Sequence, residues 1–264
     1  MCPHGGRLVS GEGGLTGARI ICHCLLIEAA DSLLLVDTGM GLEDTRHPHR
    51  RLGAPFTAAF GVRADAAETA FEQIRGLGFD PGDVRHIAVT HLDLDHAGGL
   101  PDFPAADVHV FAPEKEAALQ PKLRERARYP KCHFEHGPRW QVHAVDGDSW
   151  FGFESIRVLP GVDPEVLLIP LTGHSRGHSA VAVRDDDGWM LHCGDAYFHR
   201  SEVADPPDCP SGLRVFQSVM AADNSARKHN QERLRELSRD HGNEVRLFCS
   251  HDPVELEREQ GVPA

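Results

Sequence analysis

The sequence predicts an α/β fold in which two halves, each a sheet with its helices, pack face to face. Three observations carry this. Apolar runs are of strand length, as in Leu33–Val36 and Val166–Ile169; amphipathic stretches of helical period separate them; and strands and helices alternate in the same order twice along the chain. Length fits a single domain over residues 1–264, with residues 1–18 as a loose Gly-rich arm.

Taken in order, Ile20–Glu28 is apolar and free of turn residues, so it reads as a buried strand. A turn at 30–32 leads to Leu33–Val36, giving an antiparallel hairpin that ends in Asp37-Thr38-Gly39. Residues 41–64 have no steady period and read as an irregular connection or lid. From Ala66 to Gly76 the spacing of Ala70, Phe71, Ile74 and Leu77 predicts a helix stopped by Gly78. Strands are expected at Val84–Thr90 and Val108–Phe111, a charged helix over Pro113–Arg128, and a loop over Tyr129–Pro138. The second half offers strands at Ile156–Leu159, Val166–Ile169, Ala180–Val183 and Trp189–His192, with Asp185–Gly188 as a turn. A helix over Asn224–His241 and a strand over Val245–Cys249 complete it.

Composition excludes several function classes. With 27 Lys plus Arg against 40 Asp plus Glu, the net charge of −13 argues against nucleic acid or an anionic membrane as partner. No apolar run approaches the ~18–20 residues of a membrane helix, and the N-terminus carries no secretory pattern, so a cytoplasmic protein is expected. The seven scattered cysteines read as reduced thiols. The expected partner is a small-molecule substrate, and the expected state a monomer or homodimer. What stands out is 18 histidines.

His91-Leu92-Asp93-Leu94-Asp95-His96 follows a strand directly. Alternation along an extended segment turns His91, Asp93 and Asp95 to one side, and a tight turn through Ala97-Gly98-Gly99 brings His96 round. Imidazoles and carboxylates in such density are a first-row metal ligand set, and crowded carboxylates resist ionising without a cation. The alternative is a polar capping loop. Against it, Leu171–Ser179 with His174, Leu191–Ala196 with Asp195, and Leu247–Asp252 with His251 repeat the arrangement at three further strand exits.

These segments, namely CHCLLIE, LLLVDTG, THLDLDHAGGL, TGHSRGHS, HCGDA and SHD in that order, resemble the metallo-β-lactamase superfamily, most closely its N-acyl-homoserine-lactone lactonase-like branch. The resemblance implies a four-layer αβ/βα sandwich, the metallo-β-lactamase fold, with two divalent ions at one edge between the sheets. His91, Asp93 and His174 would hold the first ion; Asp95, His96 and His251 the second; Asp195 would bridge both. The usual motif is H-x-H-x-D-H, so Asp93 is a departure. A third ligand carboxylate lowers the formal charge of the centre from plus one to zero, and its hard oxygen admits manganese or iron beside zinc. Replacing Asp93 by His is therefore expected to keep the fold and raise zinc affinity.

The implied activity is hydrolysis of a lactone, ester or thioester by a hydroxide held between the ions, whose pKa coordination lowers towards about 7. Asp95 would hold the hydroxide's proton and pass it to the leaving group. Tyr197 is a candidate to polarise the substrate carbonyl. His178 is read as orienting its loop by hydrogen bonding, with metal ligation as the alternative. Asp37 either supports a ligand loop or forms its turn. Cys22, Cys24, Cys193 and Cys249 are read as small buried hydrophobes, and His133 and His136 as substrate contacts or solvated side chains. Two rivals stay open. A flavin-associated diiron branch resembles this chain in the carboxylate at 93, which suggests a nonheme-iron redox enzyme linked to oxygen or sulfur, although 13 residues after His251 leave no room for a flavin domain. The other rival is a one-metal or inactive binding protein.

Overall fold

A computed structural model describes residues 1, 6–10, 17–29, 31–159 and 163–261. Of the expected arm and first turn, residues 2–5, 11–16 and 30 lie outside this set. The first sheet has the order β1 (Leu25–Ala29), β2 (Ser32–Val36), β3 (Val84–Ala88), β4 (Asp107–Phe111), β5 (Arg139–His143). Its first pair is antiparallel and the remaining three are parallel. The second sheet runs from β6 (Asp148–Trp150) through β7 (Phe153–Arg157), β8 (Val166–Pro170), β9 (Ser179–Asp185) and β10 (Gly188–His192) to β11 (Val245–Phe248). It is antiparallel except for β10 with β11.

Strand periodicity sorts the apolar side chains into three cores, which makes the layers visible. Leu34 and Val36 of β2 and Val166 and Leu168 of β8 meet between the two sheets. Their alternates Leu33 and Leu35 face the outer layer of the first half, where Ile74 of a helix packs. Leu167 and Ile169 likewise face Leu234 and Leu237 on the outer side of the second half. The order is helix, sheet, sheet, helix, as expected.

The helices are α1 (Arg7–Ser10), α2 (Leu42–Arg46), α3 (Pro48–Arg51), α4 (Ala54–Phe60), α5 (Ala70–Gly76), α6 (Ala112–Leu119), α7 (Ser211–Met220), α8 (Asn224–His241) and α9 (Pro253–Glu259). Several expectations need correction. Residues 41–64 are not irregular: they form α2, α3 and α4, whose starts and stops are set by prolines in the first turns of α3 and α4 and by the left-handed Gly61 closing α4. The helix expected to Arg128 ends at Leu119, because Pro121 disfavours helical geometry at Gln120. Residues 20–24 are not paired in the sheet; they cross the end of the second half, where the His23 amide donates to Ser250 O at 2.9 Å. Strands β5 and β6 and helices α7 and α9 had no counterpart in the sequence reading. Among the described residues no helix is long and apolar enough to cross a membrane.

Candidate metal centre

The site lies where strands of both sheets release the chain at their carboxyl ends. His91, Asp93, Asp95 and His96 follow β3, His174 follows β8, Asp195 follows β10, and His251 follows β11. The structure gathers four of these side chains, all imidazoles, around Asp195, with Asp93 against His91 and His174. Asp195 Oδ2 lies 3.3 Å from His174 Nε2 and 3.7 Å from His91 Nε2. Its Oδ1 lies 3.2 Å from His96 Nε2 and 3.1 Å from His251 Nε2, which is also 3.2 Å from Oδ2. Asp95 stands further out, its Oδ2 3.9 Å from His251 Nε2.

Among the described residues, three buried atoms aimed into this space make no hydrogen bond of acceptable geometry, although they crowd one another: His91 Nε2, His96 Nε2 and Asp195 Oδ1. Orphaned polar atoms at this depth are costly unless something polar or charged completes them. Two sets of donor atoms, His91/His174/Asp195 and His96/Asp195/His251, each fall within 4.8 Å of one another. Nitrogen and oxygen donors so arranged fit divalent cations.

The outer support is extensive. Asp37, in the left-handed region at φ 54°, accepts from the Thr90 amide and hydroxyl, both at 2.7 Å, and from His96 Nδ1 at 2.9 Å. This fixes which imidazole nitrogen faces the centre. His251 Nδ1 donates to Ile21 O at 2.7 Å. His178 has both nitrogens committed, Nδ1 to Leu171 O at 3.0 Å and Nε2 to the Asp195 amide at 2.9 Å, so it orients the Asp195 backbone. Burial and the neighbouring His91 and His174 hold its pKa well below the ordinary value, so it stays neutral and able to accept. Gly194 is required beside it: φ is 54°, and a Cβ would stand 2.6 Å from His178 Nε2.

Arg128 and Glu114 carried no sequence signal, because their partners are remote in the chain. Arg128, buried, donates from Nε to Asp93 Oδ1 at 2.7 Å and from Nη2 to Asp93 Oδ2 at 2.6 Å. Its Nη1 donates to His174 O and Met220 O, at 2.9 and 2.8 Å. Nη2 also lies 2.6 Å from His174 Nε2, while Asp93 Oδ2 is 3.1 Å from the same nitrogen. Burial works against the Asp93 carboxylate, yet the guanidinium and His91 outweigh it and hold its pKa well below the usual range. Burial and the same guanidinium lower His174 to about 4. Burial likewise opposes the Asp195 charge, and His251, His96, His174 and His91 together overcome it. Glu114 of α6 accepts from the Leu92 amide at 2.9 Å, the Gly177 amide at 3.0 Å and the Ser175 hydroxyl at 2.5 Å, clamping the first and second ligand loops together.

Tyr197 is not brought to the centre. Its side chain sits in the core under α8, and its hydroxyl donates to Glu255, 3.1 Å to Oε1; burial, then Glu255, push the phenol well above its ordinary pKa. Phe198 takes the place beside the ligands instead, stacked on His251 with centroids 4.8 Å apart. His133 is neither a substrate contact nor solvated: it is buried, with Nε2 3.0 Å from Asp44 Oδ1. A cleft of about 340 Å³ reaches His251 past Phe198, Leu213 and Ile20, and a second of about 620 Å³ opens at Cys22 and Met40.

Comparison with known proteins agrees with this geometry. The family model of the metallo-beta-lactamase superfamily matches residues 17–245. A protein of Mycobacterium tuberculosis named a probable metallo-hydrolase is 42% identical over 238 residues, covering 90% of this chain and 76% of its own. The N-acyl homoserine lactonase AttM of Rhizobium radiobacter is 28% identical over 201 residues, 74% of this chain and 73% of its own. Among solved structures, an N-acyl homoserine lactone hydrolase with N-hexanoyl-L-homoserine at its metal centre superposes with a TM-score of 0.70 at 22% identity, covering 100% of this chain and 92% of its own. AidC, a dizinc quorum-quenching lactonase, gives 0.64 at 14% identity, over 96% and 84% of the two chains. Two sheets with their strand exits converging on buried imidazoles and carboxylates, and the match over most of the length, place this chain in the metallo-β-lactamase superfamily, among metallo-hydrolases similar to the N-acyl homoserine lactonases.

Proposed function

We propose that the protein hydrolyses a lactone, ester or thioester at a centre of two divalent ions, zinc in the first instance, with Asp195 between them. The observation that carries this reading is the place of Asp195 among four imidazoles: Oδ2 lies near His91 and His174, Oδ1 near His96, and His251 within reach of both oxygens. His91, His174 and Asp93 would complete the first position, and His96, His251 and Asp95 the second. Such ions supply hydroxide at neutral pH and polarise a carbonyl.

The chain's own residues do the rest. Asp95, the ligand candidate with most access to solvent, stands at the edge of the centre, placed to hold the nucleophile's proton and return it to the departing oxygen or sulfur. Phe198 and Leu213 present an apolar wall to the acyl portion of a substrate in the cleft at His251. Arg128 returns the positive charge that Asp93 removes, so the centre keeps its electrophilic character.

The contact of Arg128 Nη2 with His174 Nε2 favours a second reading. In it the guanidinium itself supplies the cation of the first position, and one ion per chain sits at His96 and His251. Metal analysis of the purified protein, followed by a screen of lactones, esters and thioesters, separates the possibilities. Two equivalents of zinc or manganese with turnover that chelation abolishes supports the first reading, and one equivalent supports the second. Iron with oxygen uptake and no hydrolysis overturns both.

A further inference from the structure

We propose that the thiolate of Cys22 is a ligand of the second ion position, beside Asp95 and His251. This rests on the metal-centre reading above and deepens it, adding a sulfur donor from a segment outside every ligand motif. Cys22 Sγ, an Asp95 carboxylate oxygen and His251 Nε2 lie within 4.8 Å of one another. With zinc–sulfur and zinc–nitrogen bonds of about 2.3 and 2.0–2.1 Å, donors sharing one ion stand roughly 3.5–4.4 Å apart, so little movement is needed.

Independent signs of a cation lie in the same place. His251 Nε2 also belongs to the set His96/Asp195/His251, in which the buried His96 Nε2 and Asp195 Oδ1 make no hydrogen bond of acceptable geometry among the described residues. The backbone carrying Cys22 is tied to the ligand it would join. Ile21 O accepts from His251 Nδ1, and the His23 amide donates to Ser250 O, one residue before His251. The unpaired course of residues 20–24 thus lays the thiol over the second position instead of into the sheet. Both cysteines lie against Gly39, the Cys24 Sγ 3.7 Å and the Cys22 Cβ 3.9 Å from where a Cβ there would stand, but among the described residues only Cys22 falls within a donor set.

Formation of the bond is a simple exchange: the Sγ–H proton goes to solvent as sulfur donates its pair to the ion, with no change of oxidation state. The added negative charge falls at a centre where Arg128 already offsets one carboxylate. A soft thiolate there also favours zinc over manganese at this position, against the hard oxygen of Asp93 at the other.

The test uses the full chain loaded with cobalt(II), together with Cys22→Ser and Cys24→Ser. The expected result is an intense thiolate-to-cobalt charge-transfer band in the near ultraviolet for the wild type and Cys24→Ser. In Cys22→Ser the band is absent while the d–d bands of bound cobalt persist, and zinc affinity falls about tenfold to a hundredfold. X-ray absorption of the wild-type zinc protein, which needs no variant, should show one sulfur at about 2.3 Å. Bound cobalt with no such band, or a band that survives in Cys22→Ser, overturns the assignment while leaving the metal centre intact. Failure of the wild type to bind any cobalt or zinc overturns the metal-centre reading along with it.

Discussion

At position 93 a carboxylate stands between His91 and His174, and both of its oxygens are taken by one guanidinium. Sequence alone showed the departure from H-x-H-x-D-H but not its compensation, since Arg128 lies 35 residues away in a stretch that reads as ordinary charged helix. The expectation for Asp93→His changes accordingly. With Asp93 gone, Arg128 is a buried cation without its counter-charge, a loss on the order of 3–5 kcal/mol. Urea melts should show Asp93→His strongly destabilised and the double substitution Asp93→His with Arg128→Met largely recovered. Zinc titration should then find the gain in affinity in the double variant alone. Equal stability of the two variants would show that the pair is not coupled. The seven ligand candidates were legible for a local reason: each sits within a few residues of a strand end, in a short run dense in His, Asp and Gly. Glu114 and Arg128 act through tertiary contacts, and Tyr197 misled because closeness to Asp195 in sequence says nothing about which side of the sheet a ring enters.

Among elements, those with strong periodicity were read well and those shaped by context were not. The α8 boundaries match because Asp223 caps the helix, accepting from the Ser225 and Ala226 amides, and Gly242 ends it. Strand β5 escaped because it is short, largely exposed and polar, held by pairing with β4 and not by a buried face. That pairing builds a ladder of imidazoles across β3, β4 and β5: His86 Nδ1 lies 3.2 Å from His109 Nε2, and His109 Nδ1 lies 3.0 Å from His143 Nε2. Burial, then His143 and His86, lower His109 to about 3, with Asp107 opposing weakly. A base depressed on folding binds protons better when unfolded, so its contribution is complete above about pH 6.5 and is lost as pH falls towards 3. His109's share of the loss should be on the order of 3 kcal/mol at pH 4. Thermal melts from pH 7 to 4 should fall less steeply for His109→Phe than for the wild type, and parallel curves would remove the ladder from the account.

At the scale of the whole molecule, the two sheets share one buried face, and the candidate ligands divide between them. His91, Asp93, Asp95 and His96 come from the first half, His174, Asp195 and His251 from the second. Cations bound there would join the halves at their rim and stabilise the folded chain by mass action, about 2.7 kcal/mol at a hundredfold excess over Kd. Chelation should therefore lower Tm by about 5–10 °C, reversibly on adding zinc; an unchanged Tm in calorimetry would mean that no ion spans the halves. Arg128 bridges the same boundary without an ion, holding Asp93 on one side and His174 O and Met220 O on the other. The two positions are thereby bound to a shared ancestry: a lineage that restored imidazole at 93 while keeping guanidinium at 128 would pass through an unstable ancestor, so descendants should exchange both residues together or neither.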